Sequence, residues 1–183
     1  MATAVSIASS ALILIGHPSI SSFTEPGAGA QAAASLYEDT LRDTLTEHSW
    51  RFSMRKQTLS RLIGKPLNQY KYQFQLPSDF LAVQTTRPLL NYEIFQDKLL
   101  ANEKALALDY WFRPDESAFP TYFIKALQYR LAAEFAQSVT QKKELADQYI
   151  DMYFTQLARA KSRDSQNRPS VAIVDNPFVQ VRY

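Results

Sequence analysis

The stretch YKYQFQLPSDFLAVQTTRP, Tyr70 to Pro88, decides the fold. Its first six residues alternate aromatic and polar, so Tyr70, Tyr72 and Phe74 point to one side of an extended chain, the two-residue period of a strand with one covered face. LPSD (Leu76 to Asp79) then reads as a tight bend, and Phe80 to Arg87 as a second strand. Downstream, NYEIF (Asn91 to Phe95) and ALALDYWF (Ala105 to Phe112) supply further strands. The QDKLLANEKA between them carries Asp97-Lys98 and Asn102-Glu103 as hairpin turns. On both sides of about 50–112 the apolar period is 3.6, not 2. A small antiparallel β-sheet is therefore inserted among about four helices, and the class is α+β.

Four helices flank the insertion. Val5, Ala8, Ala11, Leu12 and Ile15 recur at helical spacing, with Gly16 and Pro18 as the stop, which predicts a helix over 3–15. Ala33, Tyr37, Thr40, Leu41, Thr44 and Leu45 form one face of a second helix over 30–47, continued by His48. Pro120 suits the first position of a third helix over 120–137. Its apolar residues run nearly all the way round, broken by a narrow stripe with Arg130 and Glu134, so it belongs at the centre. A fourth helix over 141–162 has an apolar arc wider than one core needs. Within that arc Ile150, Phe154 and Leu157 are expected at a subunit interface. Trp50 and Phe52, directly after the second helix, are read as aromatic anchors closing the core where helix meets sheet. These elements make one unit over 1–165, and 166–183 is an extended C-terminal arm.

Composition narrows the chemistry. With 46% hydrophobic and 21% charged residues the body folds without metals or disulfides, and zero cysteines remove disulfides, thiolate sites and Cys nucleophiles together. Glycine occurs only at 16, 27, 29 and 64, so no GxGxxG or P-loop is possible, and no serine stands in a GxSxG or SxxK context. His17 and His48 have no HxH or HExxH partner, so no metal, cofactor or catalytic residue is expected. The sharpest alternative is the Asp39, Asp43, Glu47 stripe, four residues apart, as an acid/base or metal site. Like charges at that spacing cost only ~0.2–0.5 kcal/mol per pair, which a solvated or partner-facing stripe tolerates. Late basic residues such as Lys142, Lys143, Arg159, Lys161 and Arg163 alternate with acids and read as a mixed solvated face, with non-specific phosphate contact as the rival reading. VSIASSALILIG has no basic flank and is too short for a bilayer, so it reads as a helix; no membrane partner is expected.

The arm is different. Pro169 ends the fourth helix and Pro177 divides the rest into SVAIV and FVQVRY. Val171, Ile173, Val174, Phe178, Val179, Val181 and Tyr183 form its apolar content, with Val179, Val181 and Tyr183 on one face. Such a segment is aggregation-prone in water and suited to joining another chain's sheet edge, so it is the expected partner-binding element.

ALILIGHPSISSF followed by LYEDTLRDTLTEHSWRFSMRKQTL resembles the opening of the head-to-tail adaptor proteins of tailed bacteriophages, the tail tubular protein A-like family. Leu36, Tyr37, Leu41, Arg42, Asp43, Leu45, His48, Trp50, Phe52 and Arg55 occupy the family pattern. YQFQLPSDFLAV, FPTYFIKALQYRLAAEFAQSVT and LADQYIDMYFTQLARAKSRDSQ follow in its order, so the similarity covers roughly 7–166. The resemblance implies a virion structural protein, assembled in the host cytoplasm and not an enzyme. It implies a homo-oligomer, usually a dodecameric ring, between the portal protein and the tail nozzle or another tail protein, around a channel that passes double-stranded DNA. Relatives extend the C-terminal arm to portal or neighbouring subunits, but such arms vary too much for any contact to be carried onto Val171 to Tyr183. A cellular DNA-binding module and a small metal-dependent enzyme on the Asp39/Asp43/Glu47 stripe are the alternatives.

Overall fold

The computed structural model describes residues 2–66 and 69–166, an α+β chain in which four helices form one apolar core and six short strands form another. The first helix, α1 (Ala4–Leu14), starts at Thr3, whose hydroxyl accepts from the Ser6 backbone at 3.1 Å while the Ser6 hydroxyl accepts from Thr3 N–H at 2.9 Å. This reciprocal cap makes Thr3 a boundary residue and not the first helical one. Gly16, at φ +78°, closes the other end: its N–H and that of His17 bond back to Ile13 and Leu12 carbonyls. The His17 ring then lies against the first turn of α2 (Ala28–Thr46) so closely that a Cβ on Gly29 would come within 2.5 Å of it.

The other two helices are α3 (Thr121–Ser138) and α4 (Lys143–Gln166). Pro120 is the residue before α3, extended at ψ 151°, and not its first helical position. α4 begins two residues later and runs four residues further than periodicity predicts, because Asp164 in its last turn is buried and tied to neighbouring elements. α3 packs on α1, α2 and α4 together, as its nearly all-round apolar surface predicts. Leu41, Leu45, Phe123, Leu127, Leu131, Phe135, Tyr153 and Leu157 fill the space between them.

The insertion is two three-stranded antiparallel sheets, not one. Strands β1 (Met54–Thr58), β6 (Ala107–Phe112) and β3 (Phe80–Arg87) form the first in the order β1-β6-β3; β2 (Tyr72–Gln75), β5 (Lys98–Ala101) and β4 (Tyr92–Phe95) form the second in the order β2-β5-β4. The alternation that marks β2 is used as expected: Phe74 lies opposite Leu99 and Tyr72 opposite Ala101, turned toward a shared core with Leu59, Leu106, Leu108 and Tyr110. The bend after β2 exists, but it carries the chain from one sheet to the other and makes no hairpin. Pro77 to Phe80 is a turn, closed by Phe80 N–H on the Pro77 carbonyl. The β4–β5 hairpin turns at Gln96-Asp97, one residue earlier than expected, with Gln96 at φ +57° and the Asp97 carboxylate accepting from Gln75 Nε2 at 2.9 Å. Asn102-Glu103 is likewise no hairpin, since β5 and β6 belong to different sheets.

Trp50 stands where the first sheet leaves the bundle. It is fully buried, its Nε1 donates to the Thr44 carbonyl at 3.0 Å, and its ring meets Phe123 edge-on at 5.2 Å and lies 5.8 Å from Phe52. Phe52 in turn packs on Phe119 and Phe123. Both anchors read from the sequence thus close the helical core. Trp50→Ala removes that packing and strands the Thr44 carbonyl. It is expected to cost about 3–5 kcal/mol in urea unfolding, with Phe52→Leu costing much less.

Candidate assembly surfaces

The β unit meets the helices through two polar junctions. At the exit from β6, Arg113 Nη2 lies 3.0 Å from Glu38 Oε2 on α2 and 2.6 Å from Glu116 Oε1, and Tyr37 donates its hydroxyl to Glu116 at 3.2 Å. A guanidinium presents its donors in a fixed fork, so one side chain sets both the distance and the angle between α2 and β6. Burial is the largest single influence and would raise the Glu38 and Glu116 carboxyls, but the hydrogen bonds and charge of Arg113, added to those of Arg42 at Glu38 and to backbone and Tyr37 hydrogen bonds at Glu116, together hold both below their ordinary range. Burial, together with the Glu116 charge, pushes the Tyr37 phenol far up.

At the entrance to β1, Asp164 does the corresponding work. Its side chain is almost wholly buried, accepting from the Arg51 backbone N–H at 3.1 Å and the Tyr122 hydroxyl at 2.8 Å, with His48 Nε2 4.0 Å away. Two hydrogen bonds to a buried carboxylate offset much of its desolvation cost, and they fix the end of α4 beside the start of the sheet. His48 also packs edge-on against Trp50 at 4.9 Å. Burial lowers its pKa, with Asp164 opposing and Lys161 adding to the fall. It packs; it has no ligand geometry. His17 is a half-buried loop residue, its Nδ1 2.9 Å from the Pro18 carbonyl.

The acidic stripe on α2 is divided among internal partners. Asp43 pairs with Arg130 of α3 at 3.3 Å and Glu47 with Lys161 of α4 at 3.9 Å, while Asp39 is exposed. Arg130 also makes the expected pair with Glu134, at 3.5 Å, and lies over the Tyr153 ring. Asp43 and Glu47 therefore tie the α2 end to two neighbours, and the three carboxylates converge on no common centre among the described residues. Among the described residues no group of three or more His, Cys, Asp or Glu is placed to hold a metal ion, and no helix is long and apolar enough to cross a membrane.

Of the three residues expected at a subunit interface, the structure separates one from the others. Phe154 is 53% exposed and Ile150, one turn away on the same flank of α4, half-buried; Met152 is exposed on a different side of the helix. Leu157 is corrected: at 4% exposure it belongs to the chain's own core with Leu127, Leu131 and Tyr153, because the helical arc seen in the sequence wraps past the outer face onto the inner one. A second apolar surface, which periodicity did not single out, is β4, where Tyr92, Ile94 and Phe95 are all exposed on an edge strand. Its signal in the sequence was NYEIF itself, apolar on both faces of a strand that has a neighbour on one side only. The arm residues Val171, Ile173, Val174, Phe178, Val179, Val181 and Tyr183 lie outside the described residues.

Charge separates along the chain. Residues 1–50 hold one Lys or Arg against five Asp or Glu, while residues 51–113 hold ten against five. No protein-family model matches the chain, and no curated protein matches it in sequence.

The Arg113 junction has a pH sign. Folding lowers the Glu38 and Glu116 pKa values from their ordinary 4.5. Their stabilisation is therefore complete above the carboxylate range and is lost as pH falls through the lowered folded values. Arg113→Met should cost ~1–3 kcal/mol at pH 7, toward the low end because Glu38 is partly solvated, and raise hydrogen exchange across 54–112 more than in α3. The stability gap between the two proteins should narrow below about pH 4; a gap that is constant with pH would contradict the ion-pair reading.

Proposed function

We propose that the chain is a structural protein of a tailed-phage particle, a head-to-tail adaptor that forms a ring between portal and tail and extends the channel for double-stranded DNA. The resemblance supplies the identity of the reading. The observation that carries it on the molecule is the flank of α4 where Phe154 stays exposed and Ile150, one turn away, half-exposed, although another side of the same helix is packed against α3. An apolar flank left partly open on a helix whose core is already complete is what a subunit contact requires.

On this reading the work is mechanical. The helical unit is the rigid body, pinned by Trp50 and Asp164. The β unit, held by Arg113, is a separate platform that projects toward a neighbour or the tail. The arm of residues 166–183 ties the ring to portal or to the next subunit. Asp43 and Glu47 act as internal braces, and no catalytic role is assigned to the stripe.

A DNA-binding module is the second reading, favoured by one observation, the twofold excess of basic over acidic residues in 51–113. It requires affinity for short duplexes that falls steeply with salt.

Native mass spectrometry of the purified chain, alone and with the cognate portal ring, tests the first reading. A complex of many copies on portal is expected, and Phe154→Asp should weaken it at least ~tenfold while leaving the melting temperature nearly unchanged, since an exposed side chain is altered. A chain that stays monomeric and indifferent to portal would contradict the reading.

A further inference from the structure

Two surfaces of this molecule carry an excess of charge, of opposite sign. The first is a groove of about 380 Å³ beside β2, lined by Arg61, Leu62, Ile63, Gly64, Lys65, Lys71 and Tyr72. Three cations share it and no carboxylate lines it, although Lys65 also borders the adjacent pocket that holds Glu93 and Lys98. Among the described residues none of the three forms an ion pair, and the Arg61 guanidinium lies over the Tyr72 ring at 5.4 Å. At its rim Ile63 is fully exposed. The loop that carries it is held in place, not loose: Gln73 Nε2 donates to the Gly64 carbonyl at 3.0 Å, Leu62 N–H bonds to the Gln73 carbonyl, and Gly64 has no room for a Cβ beside the Gln73 amide.

The second surface is on α4. Glu144, Asp147, Asp151 and Phe154 follow one another at three- and four-residue spacing, so they form a single row, and all four are exposed. Lys142 and Lys143 sit beside Glu144 at the head of the helix and Lys143 is one turn before Asp147, which leaves Asp151 as the least compensated of the three acids. Neither Asp147 nor Asp151 is in an ion pair among the described residues. The row ends on the apolar side chain that the α4 interface needs.

We infer that the basic groove of one copy docks on the α4 row of the next, Lys65 and Lys71 against Asp147 and Asp151, with Ile63 covered by the apolar end of the row at Phe154. This rests on the ring reading above and names the two faces that meet. The groove and the row are different surfaces of one chain, so the contact is head-to-tail, the kind that closes into a ring and not a two-fold dimer. Opposite charge sets the register, and the apolar pair supplies the water-free centre. Double-stranded DNA is the competing occupant of three cations. It is disfavoured because a phosphate backbone offers nothing to cover Ile63, and because the groove's cations are confined to one short loop and the start of β2.

Sedimentation velocity of the full chain at low ionic strength, without portal, decides it. Wild type is expected to self-associate in a salt-sensitive manner. Lys65→Glu/Lys71→Glu and Asp147→Lys/Asp151→Lys should each weaken association at least ~tenfold, since every contact then sets like charges together. All four positions are exposed, so both proteins should fold as wild type does. Mixing the two variants in equal amounts should restore association, because in alternation each altered groove meets an altered row and each native groove a native row. A wild-type chain that stays monomeric overturns the inference, as does association unaffected by either pair, or a mixture no better than its components. So does a short duplex that binds wild type and not Lys65→Glu/Lys71→Glu while self-association is unchanged. Portal binding, measured separately, bears on the ring reading and is not decided by these outcomes.

Discussion

The chain passes between its two cores at two points, and the later one is governed by the fork of Arg113 between Glu38 and Glu116. Two apolar cores of this size do not merge, because α2 and β3 make only a narrow contact and little apolar surface is shared between them. Leu81 of β3 and Phe52 pack against the helical core, and directional bonds add orientation to that contact. A guanidinium with two carboxylates supplies angle as well as distance, and its partial burial strengthens the electrostatics relative to water. Asp164 and Trp50 do the same at the first crossing, where the end of α4, the end of α2 and the start of β1 come together. Everything placed on the β unit, including the cationic groove and the β4 edge, is positioned through these few contacts and bonds.

The helices were legible because each is amphipathic or surrounded, and both cases write a 3.6-residue pattern. Their ends were less so. Thr3, Ile15 and Pro120 are boundary residues of types that suit the ends of a helix as well as its caps, and only their non-helical dihedral angles, which periodicity does not report, place them outside. β2 was legible because one of its faces is buried. β1 was not, because Met54 to Thr58 is an edge strand with four of its five residues exposed, so no apolar alternation marks it. β5, KLLA, hid for the opposite reason: Leu99, Leu100 and Ala101 are all buried, so its period is erased. The division into two sheets was illegible for a topological reason, since a bend and a hairpin look alike in sequence and only the partner strand tells them apart.

The candidate surfaces divide along the same line. Trp50 and Phe52 could be read as anchors because large aromatics at a change of period have few places to go. Leu157 could not be told from Phe154, because a wide apolar arc on α4 says that two faces are covered without saying where one ends. The acidic stripe on α2 was visible, but its partners Arg130 and Lys161 lie far away in the chain, and only packing shows them to be braces. The cationic groove needed the loop after β1 folded against β2, which no local pattern announces.

On the proposed adaptor reading, the apolar and charged surface left open on α4 and the β unit is completed by copies of the chain and by the proteins above and below a ring. That demands a fixed number of copies in each particle. Quantitative mass spectrometry of purified phage particles measures it directly: the chain should be present in equimolar ratio to portal protein and remain through stringent washing. Its absence from particles, or presence only in trace amounts in the surrounding lysate, would contradict the adaptor reading outright.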